Sequence, residues 1–498
     1  MRILYLDIDS LRPDHLGCYG YHRQTSPNID QLAANGVCFT NCYASDVPCL
    51  PSRSALFSGR AGIHTGVINH GGVASQPFIE GAGRNFRDTL YDTCWMTQLR
   101  NQGMRTVTIS PFGERHAAWH WYAGFSEIHN PRGNGLERGD QVWPTVQRWL
   151  NHNADEDNWF LHINLWDPHS PYRTPRDFQA DYSDEPLPAW YNESIRQEHW
   201  NDCGPHSAQE VTGFGYEAYS QKLLEQYPDH PGQIDSMDKA RMMFDGYDRG
   251  VRYADHYVGK MIDALKDNGL YDDTIIIISA DHGENLGELN IYGDHHTADQ
   301  ITGNIPLIVH WPGVTDQRAG EKDHTLLNHF DFAATVIQML GGQTPRNWDG
   351  IGFAEAFKQG KPSEHREYVI IGQGAWSCQR GIRFDHNGDR YICIRSYHDG
   401  YHNFPDLMLF NLTNDPHEQH NLAELQPNIA NKAIRLLDQW TGDMMRTASH
   451  GQDPMWTVIH EGGAFHTRGN LAQYLQRLED TNRSHCAKSL KAKHSKDL

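Results

Sequence analysis

The most chemically loaded run in the chain is Cys49-Leu50-Pro51-Ser52-Arg53. A proline in the first turn of a helix presets φ and gives up an N–H that has no partner there. Leu56 and Phe57 can then face a core, and Gly59 can close the segment. The spacing predicts a short helix with Cys49 at its positive end and Arg53 one turn on. That is a setting for a nucleophile that meets an anion.

Two other segments carry ligands for a hard cation. Leu6-Asp7-Ile8-Asp9-Ser10 ends the first predicted strand, and Ser279-Ala280-Asp281-His282-Gly283-Glu284 follows the apolar run 275–278. Carboxylates at the ends of two parallel strands can converge on one ion. The period of a strand puts Asp7 and Asp9 on the same face. Histidines follow other predicted strands: His116 in Ile109-Ser110-Pro111-Phe112-Gly113-Glu114-Arg115-His116, His169 in Trp166-Asp167-Pro168-His169-Ser170-Pro171-Tyr172, and His295 and His296 in 292–299. An imidazole in such a place can act as a general acid.

The run from Cys49, with Pro51, Ser52, Arg53, Leu56, Ser58 and Gly59 in register, resembles the signature of the formylglycine-dependent sulfatases of the alkaline phosphatase superfamily. The resemblance implies that Cys49 is oxidised by a formylglycine-generating maturation enzyme, the hydrated aldehyde serving as nucleophile. Pro51 and Arg53 would belong to the motif that enzyme reads. The resemblance also implies Asp9, Asp281, His282 and the modified Cys49 as metal ligands, with Ca²⁺ as the metal. The imidazole keeps Mg²⁺ and Mn²⁺ open. Many sulfatases have a second aspartate where this chain has Ser10, so Ser10, a water or Asp7 fills that place. Where many have Gly-Lys-Trp-His, this chain has Glu114 at the lysine position, so Arg115 is expected to carry the charge. Glu114 would orient His116 or bind a sugar hydroxyl. The segment 292–299 has no lysine, and either His295 or His296 takes its role. Arg53, Arg115 and His116 are expected to spread the sulfuryl charge, and His169 or His295 to protonate the departing oxygen.

The elements that must position these groups alternate. Predicted strands cover 3–8, 37–43, 105–110, 159–165, 274–279 and 306–310, and predicted helices 28–34, 91–101, 141–150, 236–266 and 332–340. Short Val/Ile-rich strands between helices imply an α/β fold with a mostly parallel central sheet covered on both faces. Ligands in such sheets gather beyond the carboxyl ends of the strands. The organisation read from this is a catalytic domain over 1–365, with an irregular Trp/Tyr/Pro-rich insertion at 176–235 near the site mouth. A smaller subdomain with an antiparallel sheet follows over 366–498. Within it, residues 409–422 resemble the sulfatase C-terminal motif, terminal helices follow, and the Lys-rich tail from Ser484 is expected to fray or to dock as a final helix.

Composition narrows the partners. A formal charge of −20 argues against nucleic acid or an anionic membrane surface. Nine cysteines without paired spacing do not form a disulfide framework, and no apolar run is long enough to span a bilayer. The chain opens directly on a strand, which predicts a cytoplasmic protein. The aromatic-rich insertion and the stretches 396–404 and 462–468, with His398, His466 and Arg468, point to a sulfated oligosaccharide from a glycosaminoglycan or another polyanionic glycan, such as a marine one. The rival readings are a phosphonate or phosphate ester hydrolase of the same superfamily and a catalytically silent glycan-binding protein.

Overall fold

The computed structural model describes residues 1–81, 88–131, 133–213, 217–361 and 366–498. The expected subdomain boundary at 365/366 falls partly outside them. Its frame is an eight-stranded sheet. In chain order the strands used here are β1 (Arg2–Ile8), β2 (Val37–Tyr43), β3 (Asp46–Val47), β4 (Arg105–Ile109), β5 (Glu127–His129), β6 (Trp159–Leu165), β7 (Thr274–Ser279), β8 (Asn285–Leu286), β9 (Tyr292–Asp294), β10 (Asn304–His310), β11 (Glu321–Asn328), β12 (Tyr368–Gln373), β13 (Cys378–His386), β14 (Asp389–His398) and β15 (Leu407–Asn411). The large sheet runs β11-β2-β10-β7-β1-β6-β4-β5. Only β10 is antiparallel to its neighbours. β1, β6 and β7 are buried along almost their whole length, which is why they read as continuous apolar runs.

Because β1 lies parallel to both β6 and β7, and β6 to β4, the carboxyl ends of four strands share one edge. Asp9, Ser110, Trp166 and Asp281 all follow at that edge. The helix Met237–Asp267 carries an apolar face of Met243, Phe244, Tyr247, Val251, Val258 and Ile262 into the core. The region expected to be one helix over 91–101 is two, Thr89–Thr93 and Trp95–Asn101. Cys94 is extended (φ −61°, ψ 154°) and breaks the ladder between them.

A second sheet, β15-β14-β13-β12-β3, is antiparallel except where β3 joins β12 in parallel. β3 stands two residues before Cys49, so this sheet is tied directly to the nucleophile segment. The tail does not fray. Ser484–Lys493 is a helix that buries Cys486, Ala487 and Leu490, and Arg483 just before it bonds Glu210 of the insertion through both terminal nitrogens, at 2.9 and 2.5 Å. No helix among the described residues is long and apolar enough to cross a membrane. All nine cysteines are free thiols.

Candidate active site

Cys49 is the first residue of the helix Cys49–Ser58, whose side chains are all buried. Gly59 ends the helix at φ +70°, and a Cβ there would run into the ring of Trp348. The helix start sets Cys49 against the ends of β1 and β7. Its Sγ lies 3.1 Å from His282 Nε2, and Asp9, Cys49, Asp281 and His282 each offer a ligand atom within 4.8 Å of the others.

Two observations show that this cluster suits a divalent cation. The first is the tautomer of His282. Its Nδ1 donates to the Gly283 carbonyl at 2.8 Å, so Nε2 keeps its lone pair and faces both Cys49 and Asp281 Oδ2 (3.3 Å). The second is charge. Arg53 bonds Asp7 through Nε and Nη2 (2.7 and 3.1 Å), and its Nη1 reaches Asp9 Oδ2 at 3.0 Å and lies 2.7 Å from Asp281 Oδ2. Three buried carboxylates against one guanidinium leave a negative excess that burial makes costly. Asp281 records it: Oδ2 is buried without a hydrogen bond, and burial pushes the carboxyl up to about 7 despite Arg53. Asp9 stays low because Arg53, His169 and His282 outweigh its burial.

This geometry corrects two expectations. Arg53 does not line the cleft, because its donors are taken by the carboxylates beneath it. Asp7 has both oxygens on Arg53 and a further contact from His162 Nε2 at 3.2 Å, so it anchors Arg53, and it is not among the residues that bring a ligand atom to the Cys49 cluster. Ser10 sits between the two remaining carboxylates, its hydroxyl donating to Asp9 Oδ1 (3.0 Å) and its backbone N–H to Asp281 Oδ1 (3.2 Å). It holds φ at +59°, an uncommon backbone state for a non-glycine residue. The Cys49 thiol is pushed well up by burial and then by Asp9 and Asp281, so it is not a thiolate nucleophile as it stands.

Above Cys49 lies a cleft of about 480 Å³ lined by His70, Arg115, His116, His169, His295 and His466, with Trp166, Trp376 and Phe465. It shares Arg115, His169, Asp294, Trp376 and His466 with a neighbouring hollow of about 350 Å³ that takes His206, Thr212 and His230 from the insertion. Arg115 lies over the Trp166 ring at 5.3 Å. His169 Nδ1 donates to the Ser170 carbonyl, which leaves Nε2 to exchange a proton; burial holds this imidazole down at about 4. His295 packs 4.1 Å from His282 and 5.4 Å from His169, ring to ring. His296 turns away, stacked on Trp376 at 3.9 Å and bonded through Nδ1 to His402. The two neighbours are thereby separated, and His295 is the one beside Cys49.

Three expected cleft residues are placed elsewhere. Glu114 accepts from Tyr122 OH on the exposed side of its turn. His398 pairs with Asp497 of the docked tail, and Arg468 with Glu461 and the Gly463 carbonyl. Each has found an internal partner that sequence spacing does not reveal. Conversely, His70, Trp376 and His206 were not anticipated. His70 follows the cysteine helix by a loop and bonds His466 at 2.9 Å. Its one sequence cue is the Gly71-Gly72 pair that lets a loop turn there. Glu284, in the segment after β7, has a positioning role that its spacing does not reveal. Its carboxyl receives Tyr172 OH at 2.9 Å and the Ser170 N–H at 3.2 Å, so it seats the loop that carries His169.

Residues 2–342 match the sulfatase family. The chain belongs to that family, and it is a sulfuric ester hydrolase. Residues 287–441 of this sulfatase also match the C-terminal region of N-sulphoglucosamine sulphohydrolase. Among curated relatives, it is 26% identical to the multifunctional alkaline phosphatase superfamily protein PehA of Trinickia caryophylli, over 80% of this chain and 85% of that one. It is 27% identical to human iduronate 2-sulfatase over 68% of this chain, spanning 65% of the human protein. Among solved structures, BT4656 in complex with its substrate D-glucosamine-2-N,6-O-disulfate superposes with a TM-score of 0.68 at 18% identity, over 91% of this chain and 99% of that one. The phosphonate monoester hydrolase SpPMH of Silicibacter pomeroyi gives 0.64 at 19% identity, over 90% and 96%. At these identities the structural likeness establishes the alkaline-phosphatase-like fold.

Proposed function

We propose that this sulfatase removes O-sulfate from an anionic oligosaccharide of glycosaminoglycan type, with chondroitin- or dermatan-like uronate-containing fragments as the first candidates. The observation that carries the reading is the position of Cys49, at the floor of a histidine- and tryptophan-lined cleft and within ligand distance of Asp9, Asp281 and His282. Oxidised to formylglycine by a maturation enzyme, residue 49 supplies a hydrated aldehyde as nucleophile. Asp9, Asp281, His282 and the oxygen at position 49 would hold a divalent cation, Ca²⁺ before Mg²⁺ or Mn²⁺ given the mostly oxygen donor set. Such an ion supplies charge stabilisation for the sulfuryl oxygens.

The chain's own residues do the rest. Arg53 neutralises Asp7, Asp9 and Asp281 from below and so holds the carboxylates in place. Arg115 and His116 border the cleft where the sulfuryl group would lie. His169 Nε2 and His295 are the proton carriers nearest the scissile oxygen. Both imidazoles are held neutral by burial in the free protein, and a bound sulfate monoanion would shift them toward protonation. The exposed ring of Phe465 at the cleft suits a sugar ring, and the identity to human iduronate 2-sulfatase and the fold of BT4656 support the carbohydrate reading.

Peptide mass spectrometry at Cys49, on chain co-produced with a formylglycine-generating enzyme, tests the nucleophile. An aldehyde in place of the thiol is expected, and an intact thiol under those conditions would overturn it. A panel of sulfated disaccharides against aryl sulfates tests the substrate class. Faster turnover of aryl sulfate than of every disaccharide would remove the carbohydrate assignment. A second reading, phosphonate or phosphate ester hydrolysis, is favoured by the likeness to PehA and to the phosphonate monoester hydrolase fold. Comparing kcat/KM on matched sulfate and phosphonate esters separates the two.

A further inference from the structure

Beside the Cys49 cluster the structure assembles another set of donors. His206 comes from the insertion, and Asp294 and His296 stand at and just beyond the end of β9. His206 Nδ1 lies 3.4 Å from Asp294 Oδ2, and His296 Nε2 lies 3.3 Å from Asp294 Oδ1. All three offer a ligand atom within 4.8 Å of one another. These contacts are long for hydrogen bonds, and both nitrogens are buried without a hydrogen-bond partner. A spacing of about 3.3 Å is the separation between neighbouring ligands around a tetrahedral ion with bonds of about 2.0–2.1 Å.

The outer face of His296 is already engaged, as a metal-binding histidine requires: its Nδ1 bonds His402 Nε2 at 2.9 Å. Trp376 clamps the His296 ring from one side. His206 also holds φ at +56°, a backbone state seldom kept by a non-glycine residue without a local cause.

From this geometry we infer a second divalent-cation site, His206–Asp294–His296, selective for a zinc-class transition ion. Two imidazoles and one carboxylate favour that class over Ca²⁺, in contrast to the oxygen-rich cluster at Cys49. Three protein ligands leave a fourth tetrahedral position, and His206 and Asp294 face the hollow that also contains His169 and Arg115. His295, between the two ligands in sequence, belongs instead to the Cys49–His282 group, so one three-residue stretch serves both sites. On the carbohydrate-sulfatase reading, such an ion gives the cleft the positive charge that the lysine-free segment 292–299 lacks.

The test is Zn²⁺ and Co²⁺ binding to the full chain in excess Ca²⁺, without substrate, so that its outcome does not depend on the carbohydrate reading. One Zn²⁺ equivalent is expected by isothermal titration, and Co²⁺ should give the intense visible bands of a tetrahedral N/O site. Both signals should disappear in His206→Ala and in His296→Gln, with folding checked by circular dichroism. Asp281→Asn should keep them, and His402→Ala should weaken binding about 10- to 100-fold. His206→Ala is the safer variant, since its side chain is at the cleft surface on the insertion. Absence of Zn²⁺ binding to the wild type would overturn the site. So would binding that survives both histidine changes, or binding lost in Asp281→Asn.

Discussion

At the scale of residues, Asp281 is the most informative side chain. Its carboxyl is raised to about 7 by burial, so without a cation it is partly protonated near neutrality, and its charge is a liability to the fold. Asp281→Asn should therefore leave Tm in chelator unchanged or slightly raised. It should also remove the Ca²⁺-dependent rise that the wild type shows, about 2.7 kcal/mol at a hundredfold excess over Kd. Differential scanning calorimetry with and without Ca²⁺ checks this, and an equal Ca²⁺ response in both proteins would exclude Asp281 as a ligand. His169 carries a second prediction. If its Nε2 protonates the leaving oxygen, His169→Ala should lower kcat on sugar sulfates by about 10²–10⁴. The same change should cost far less on an aryl sulfate, whose phenoxide needs no proton. Equal losses on both would assign His169 to sulfate binding. The sequence pointed to Cys49, Asp9, Asp281, His282 and His169 because each follows a strand or starts a helix inside a short local motif, and the structure brings the first four into one cluster with His169 at the cleft above it. It concealed the orientation of Arg53, which is decided by Asp7 and Asp281, residues 46 and more than 200 positions away.

At the scale of elements, buried strands were the easiest to read. β2, β6 and β7 have the bounds that their Val, Ile and Phe content predicts. The edge strands β5 and β11 were missed because exposure along an edge admits Glu, Lys and His, which erases the apolar run. The insertion and the tail were illegible for a different reason: each is ordered by the other. Glu210 of the insertion is buried against Arg483, Arg477 and the Ser207 hydroxyl, and the Gly204 N–H donates to Tyr474. Removing the carboxylate leaves Arg483 buried without its counter-charge. Glu210→Ala should thus cost about 3–5 kcal/mol locally and release both the helix Ser484–Lys493 and the loop bearing His206. Hydrogen exchange should show matched loss of protection in the two segments. KM for an oligosaccharide should rise more than KM for an aryl sulfate, because only the larger substrate reaches the hollow lined by the insertion. Loss of protection in the tail alone would show that the two elements are ordered independently.

At the scale of the whole molecule, the abundance of histidine becomes a stability property. Burial pushes eight imidazoles down to about 3 or 4: His116, His120, His169, His199, His206, His230, His329 and His466. Each is neutral in the fold and would be protonated in the unfolded chain below its ordinary value near 6.5. Nine carboxyls among the described residues work in the opposite sense, raised by burial: Asp46, Asp255, Asp281 and Glu284 to about 6–8, and Asp167, Asp202, Asp245, Asp299 and Glu418 in the same direction, against fourteen imidazoles lowered in all once His70, His162, His256, His295, His398 and His402 are added. They hold protons in the fold that the unfolded chain has released. Between about pH 4.5 and 6 the histidines outnumber them, so the unfolded state binds more protons and stability must rise with pH. A cation on Asp281 removes one carboxyl from the opposing set and steepens the trend. Each net proton gives about 1.4 kcal/mol per pH unit. Tm should fall steadily as pH is lowered from 6 to 4.5. Calorimetry at pH 5.5 in buffers of different ionisation enthalpy should show net proton uptake on unfolding. Proton release there would mean that the buried carboxyls, and not the imidazoles, govern the acid limb, and that the histidine cleft is already charged in the free protein.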